Sequence, residues 1–272
     1  MDMNQYEVID EKTTAGARFE VLQQKELQGS SDVRSAESLF FISSAGMRLK
    51  MVRVTMNKGR LRNEPGSLYF MNGDLEIKAS TGGGVMRGLT RRALSGESFF
   101  VNEIHGSGEV ILEPTFGHFL LVDIDNDEVI VDKSLFYAGS GDLDISATAQ
   151  RTFSAAVAGG EGMFQTRIAG TGVAVLFSPV PVSEIQIIEL NNSKLSVDGN
   201  FALLRTGNVD FSVEKSSKSW VATSVSGEGL LQTFKGTGQV WIAPTQGVYK
   251  RLATPNGLAH LAGAGSSKGT NT

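Results

Sequence analysis

The sequence predicts an all-β protein in which three internal β-repeats pack around a pseudo-threefold axis. The observations behind this are a glycine-rich, proline-poor composition and two separate sequence blocks that each occur three times. The chain holds 32 glycines and 6 prolines among 272 residues. It has no collagen-like period, so the glycines read as turn residues of a strand-rich fold. The first block is Ser95-Gly96-Glu97-Ser98-Phe99-Phe100 followed by Gly106-Ser107-Gly108. It returns as Gly159-Gly160-Glu161-Gly162-Met163-Phe164 with Gly170-Thr171-Gly172, and again as Ser226-Gly227-Glu228-Gly229-Leu230-Leu231 with Gly236-Thr237-Gly238. Its glutamates recur at intervals of 64 and 67 residues. The second block is Gly73-Asp74-Leu75-Glu76-Ile77, then Gly141-Asp142-Leu143-Asp144-Ile145, then Gly207-Asn208-Val209-Asp210-Phe211, at intervals of 68 and 66 residues. Two blocks recurring at nearly one period mark an internal repeat.

Each block carries strand and turn chemistry. Gly-Asp and Gly-Asn tolerate positive φ and predict turns. Leu75-Glu76-Ile77 and Val209-Asp210-Phe211 alternate apolar with polar, the period of a half-buried strand. The Gly-x-Gly pairs at 106/108, 170/172 and 236/238 predict tight hairpins between two short strands. Met47 to Val54 is a further alternating strand, and Val85 to Leu94 predicts a short helix. A repeat of about 65 residues holds about five or six strands at ordinary strand and loop lengths. One such unit buries its apolar face poorly, whereas three share a core. The predicted organisation is an N-terminal arm or extra strand over 1–40 and one domain over 41–262. The repeats fall at about 41–113, 114–178 and 179–244, with a closing segment after them. A Gly/Ser/Thr-rich tail over 263–272 is expected to be disordered.

Composition narrows the function classes. Hydrophobic residues make up 40% and charged residues 20%, the balance of an ordinary globular protein. The net charge of −4 gives no general attraction to nucleic acid or an anionic membrane. With no cysteine, a disulfide framework, a thiol nucleophile and a cysteine-ligated metal are excluded. The N-terminal stretch has acidic residues at Asp2, Glu7, Asp10 and Glu11 and no apolar segment of a secretory signal. No run approaches the roughly 18 apolar residues of a membrane-spanning helix. These features predict a cytoplasmic protein without a transmembrane segment or cofactor.

The stretches Glu64-Pro65-Gly66-Ser67-Leu68-Tyr69-Phe70-Met71, Arg92-Ala93-Leu94-Ser95-Gly96-Glu97-Ser98 and Gly159-Gly160-Glu161-Gly162 resemble the bacterial and mitochondrial family called altered inheritance of mitochondria, member twenty-four. This family is also known as a domain of unknown function. The resemblance runs from about Met47 to Pro244. It implies units like the tryptophan RNA-binding attenuator protein, a β-sandwich or barrel fold, three to a chain. Mitochondrial members of the family are similar to factors that maintain inner-membrane organisation.

The candidate site is a tripled charge pair. A base precedes each repeat glutamate by ten residues: Arg87 before Glu97, Arg151 before Glu161, Lys218 before Glu228. Gathered around an axis, these groups form a cationic set able to hold an anion or a carboxylate. As local ion pairs they do no more than close their own loops. Thr81-Gly82-Gly83-Gly84, flanked by Arg87, Arg91 and Arg92, is either a backbone anion nest or a basic loop, and it lacks the Gly-Lys-Ser/Thr of a phosphate-binding loop. His105, in a predicted hairpin turn, His118 and His260 show no metal-ligand spacing. Serine is abundant, but no Gly-x-Ser-x-Gly elbow or repeated histidine base accompanies it. The sequence therefore predicts no catalytic residues and no metal. It predicts a non-enzymatic binding or scaffold protein, within a homo-oligomer and with a possible protein partner. The alternative is a module for a small anion or RNA at the tripled bases.

Overall fold

The computed structural model describes residues 3–80, 101–132, 134–149, 164–198, 201–215 and 230–257. They form a mostly antiparallel β structure. The strands are β1 (Tyr6–Thr13), β2 (Ala17–Gln24), β3 (Lys50–Asn63), β4 (Leu68–Ser80), β5 (Val101–Leu112), β6 (His118–Asp132), β7 (Phe136–Ser140), β8 (Asp144–Ala149), β9 (Phe164–Ser178), β10 (Gln186–Asp198), β11 (Ala202–Thr206), β12 (Asn208–Lys215) and β13 (Leu230–Ile242). Helix α1 (Val33–Ser44) precedes β3, and a short helix α2 (Gln246–Leu252) follows β13. The N-cap of α1 is Asp32, whose carboxylate accepts the backbone N–H of Ser35 at 3.0 Å, satisfying one of the free donors of the first turn.

From β3 onward the same pairing pattern occurs three times. A long strand (β3, β6 or β10) pairs antiparallel with another long strand (β5, β9 or β13). The other edge of that second strand takes β4, then β7 with β8, then β11 with β12. Each long pair is interrupted by a register shift at one place: between Met56 and Gly59, between Asp125 and Asp127, and between Leu190 and Ser193. The bulged residues Lys58, Asn126 and Asn192 have positive φ of 48°, 50° and 48°. Their backbone N–H groups donate to Ser107 Oγ (2.8 Å), Thr171 Oγ1 (3.0 Å) and Thr237 Oγ1 (3.1 Å).

This corrects the predicted hairpins. Gly106-Ser107-Gly108 and its two counterparts lie inside continuous strands, not at reversals. The glycines are needed because the backbone of the neighbouring strand comes too close there for a Cβ. A Cβ on Gly106 would stand 2.0 Å from the Asp74 carbonyl oxygen, and one on Gly236 2.0 Å from that of Asn208. The hydroxyl between the glycines holds the facing bulge. The Gly-Asp turn prediction is corrected in one copy: Gly73-Asp74 is inside β4, whereas Gly141-Asp142 and Gly207 separate β7 from β8 and β11 from β12. The segment Val85–Leu94, predicted helical, lies outside the described residues.

The core follows these groups. One apolar cluster joins Phe19, Val52, Val54, Leu61, Ile104 and Val110 to Phe119 and Val175; a second gathers Val131, Phe136, Leu143 and Ile168 with Leu204; a third holds Val209, Phe211, Phe234 and Val240. The main path through the sheet is β1-β2-β3-β7-β9-β6-β11-β13-β10, with the remaining strands branching from it. Among the described residues the sheet is therefore not closed.

Candidate functional site

Arg87, Glu97, Arg151, Glu161, Lys218 and Glu228 all lie outside the described residues. The site that the structure does define is set by how the three strand groups join.

At the first junction β3 pairs with β7, placing Leu61, Arg62 and Asn63 opposite Ser140, Gly139 and Ala138. At the second, β6 pairs with β11, placing Val129, Ile130 and Val131 opposite Thr206, Arg205 and Leu204. Both junctions are sealed. Ala138 and Gly139 are buried, as are Leu204 and Arg205. Arg62 donates to Glu103 Oε1 (2.8 Å) and to the Leu143 carbonyl (2.5 Å), and Arg60 forms an ion pair with Asp142 across the first junction. Arg205 donates to Gln165 Oε1 at 2.7 Å and lies over the Phe211 ring. Burial lowers its pKa to about 10.

Two halves of the same kind of junction are left over. Among named strands, β4 pairs only with β5 and β10 only with β13. Met71 stands opposite Val110, as Gly139 stands opposite Ala174 and Arg205 opposite Val240. In each case the facing residue is two past the second glycine of the Gly-x-Gly triplet. The positions buried at the two formed junctions are thus occupied here by Phe70 and Met71, which remain 42% and 37% exposed. Tyr69 beside them is also exposed, its ring 5.7 Å from that of Phe70. Among the described residues this is an exposed apolar run on an unpaired strand edge, the kind of surface on which further chains can associate. In the sequence Leu68-Tyr69-Phe70-Met71 breaks the alternation of a half-buried strand and has the pattern of a buried one.

Titratable groups gather at a second place, where the groups begin. Lys50 starts β3 and His118 starts β6, while Glu184 lies in the short turn before β10. Lys50 donates to the Arg48 carbonyl at 3.1 Å, and Glu184 accepts from Thr245 and from the Tyr249 hydroxyl (2.7 Å). Burial and the Lys50 charge lower the pKa of His118, disfavouring its charged form. His105 lies within β5, not in a turn. Its Nε2 is 3.1 Å from Glu103 Oε2. Burial opposes ionisation of Glu103, but hydrogen bonds from His105 and Arg62 outweigh it and lower its pKa. Among the described residues no group of three or more His, Asp or Glu side chains is placed to hold a metal ion. No helix among them is long and apolar enough to cross a membrane.

Comparison with known proteins agrees with this architecture. Residues 42–245 match the family described as mitochondrial biogenesis AIM24. An uncharacterised protein of Streptococcus pyogenes serotype M6 is 22% identical over 212 residues, covering 74% of this chain and 84% of that protein. A crystal structure of a Streptococcus pyogenes protein superposes with a TM-score of 0.54 at 21% identity, covering 76% of this chain and 94% of that one. At that identity the likeness concerns the fold.

Proposed function

This chain belongs to the mitochondrial biogenesis AIM24 family, and from that premise we propose that it is a non-enzymatic binding or scaffold protein acting through the open edge of β4. The observation that carries the reading is the exposed pair Phe70-Met71, with exposed Tyr69 beside it, at positions that are buried in both formed junctions. An extended segment added to such an edge gains main-chain hydrogen bonds, and the side chains on the strand supply selectivity. We also read the three strand groups as the three sequence repeats, related by a pseudo-threefold axis in the manner of attenuator-protein-like units. Their matching bulges support this.

The test is photocrosslinking in cells from a benzoylphenylalanine placed at position 70, with position 40, on exposed helix α1, as control. The expected result is discrete polypeptide adducts from position 70 and none from position 40. Equal or absent adducts at the two positions would refute the reading.

A second reading places a small anion or RNA segment at Arg87, Arg151 and Lys218. It is favoured by one observation: in sequence these bases fall between β4 and β5, β8 and β9, and β12 and β13, the same connection of each group. Thermal stabilisation by polyphosphate or short RNA that disappears in Arg151→Ala would support it.

A further inference from the structure

We propose that β10 of one copy adds antiparallel to β4 of a second copy, so that the chain assembles head to tail through a third junction of the kind it forms twice internally. This rests on the reading of the β4 edge as a binding surface and names its occupant.

The two formed junctions dictate the register. In the first long pair Gly59 faces Gly106, and the residue three further on, Arg62, takes Gly139 across the junction. In the second, Asp127 faces Gly170, and the residue three further on, Ile130, takes Arg205. In the third, Ser193 faces Gly236, and the residue three further on is Ser196. Met71 holds the position of Gly139 and Arg205, since each faces the residue two past the Gly-x-Gly triplet. The third junction therefore pairs Leu195 with Asn72, Ser196 with Met71 and Val197 with Phe70. Ser196 is exposed, as Met71 is.

Charge supports the same register. Arg60 immediately follows Gly59, and Asp142 belongs to the Gly-Asp block; the two form an ion pair across the first junction. The corresponding residues of the third junction are Lys194, after Ser193, and Asp74, after Gly73. They carry opposite charges in the same order, and within its own chain Lys194 also pairs with Glu214 at 2.7 Å.

A second copy is favoured because the main path through the sheet runs from β1 to β10 without returning to β4. Each chain thus presents one acceptor edge and one donor edge at once. Such a heterologous contact closes into a ring or extends as a filament. Covering Tyr69, Phe70 and Met71 supplies the apolar burial that the formed junctions already have.

The chain has no cysteine, which makes the test direct. Ser196→Cys and Met71→Cys are prepared as two separate single variants of the full chain, mixed and oxidised. Directly paired antiparallel residues lie within disulfide reach. The expected result is a covalent heterodimer that forms on mixing and is absent from a mixture of Ser196→Cys with Glu76→Cys, whose cysteine lies further along β4. Adding Lys194→Glu to the first partner should weaken the crosslink, and adding Asp74→Lys to the second should strengthen it again. Absence of crosslinking on mixing overturns the proposal. So does a Ser196→Cys/Met71→Cys double variant that oxidises only within one chain, which would mean that the chain closes on itself. Either failure leaves the scaffold reading standing if position 70 still crosslinks to a different protein in cells. That reading falls if position 70 captures nothing, or no more than position 40 does.

Discussion

Arg53 grips Glu20 with two hydrogen bonds, Nε to Oε2 at 2.7 Å and Nη2 to Oε1 at 2.9 Å. They face each other across the β2–β3 pairing, and Glu20 is 1% exposed. Arg18 stands 3.1 Å from the same carboxylate on its outer side. A buried ion pair contributes little beyond a well-packed apolar pair, but losing one partner strands a charge in a low-dielectric site. Arg53→Leu leaves Glu20 only the more exposed Arg18 and should destabilise the protein by up to about 3–5 kcal/mol. The double variant Glu20→Met/Arg53→Leu should regain most of that loss. Urea unfolding of the three proteins checks it, and equal losses in single and double variants would contradict it.

The strand crossings at the Gly-x-Gly triplets give a second expectation. Gly106 and Gly236 have φ of 126° and 139°, and a Cβ at either would meet a backbone carbonyl at 2.0 Å. Backbone cannot yield as a flexible side chain does. Gly106→Ala and Gly236→Ala should each lower stability by well over about 1 kcal/mol. Gly29→Ala, where a Cβ meets nothing within 4 Å, should have little effect. Melting temperatures of the three variants separate the cases.

These crossings also show what the sequence made legible. The glycine-rich, alternating blocks pointed to β structure, because glycine and alternating apolar residues report local backbone needs. They did not distinguish a reversal from a crossing. Gly106-Ser107-Gly108 fits either, and the choice depends on the bulge at Lys58, distant in sequence. The open edge was hidden for a related reason. Phe70 and Met71 look like core residues, and only the pairing of β3 with β7 and of β6 with β11 shows that their counterparts are covered and they are not. The charge pairs stood out in sequence by spacing alone, and spacing does not say what a side chain meets.

Exposure on α1 makes a contrast that mutation can read. Phe40 and Phe41 are 66% and 60% exposed, while Phe19 in β2 is fully buried. Phe40→Ser and Phe41→Ser should change stability by no more than about 0.5 kcal/mol. Phe19→Ala should cost about 3–5 kcal/mol through lost burial and the cavity it leaves. Chemical denaturation of the three variants checks this. A large loss in either α1 variant would mean that the helix packs more tightly than its exposure indicates.

His118 gives the pH expectation. Burial, then the nearby Lys50 charge, lower its pKa, while Glu184 pulls weakly the other way. In the unfolded chain the imidazole titrates near its ordinary value of about 6.5. The unfolded state therefore binds the proton first as the pH falls, and stability rises with pH wherever that state holds more protons. The contribution of His118 is fully present above about pH 6.5 and is lost as the pH drops through its lower folded value. His118→Asn removes the titration, so the stability gap between variant and wild type should be wider at pH 7.5 than at pH 5. Unfolding both proteins in urea at each pH measures that gap. A gap that stays constant would show that the imidazole is as free to take a proton in the folded protein as in the unfolded one, and that Lys50 does not bear on it.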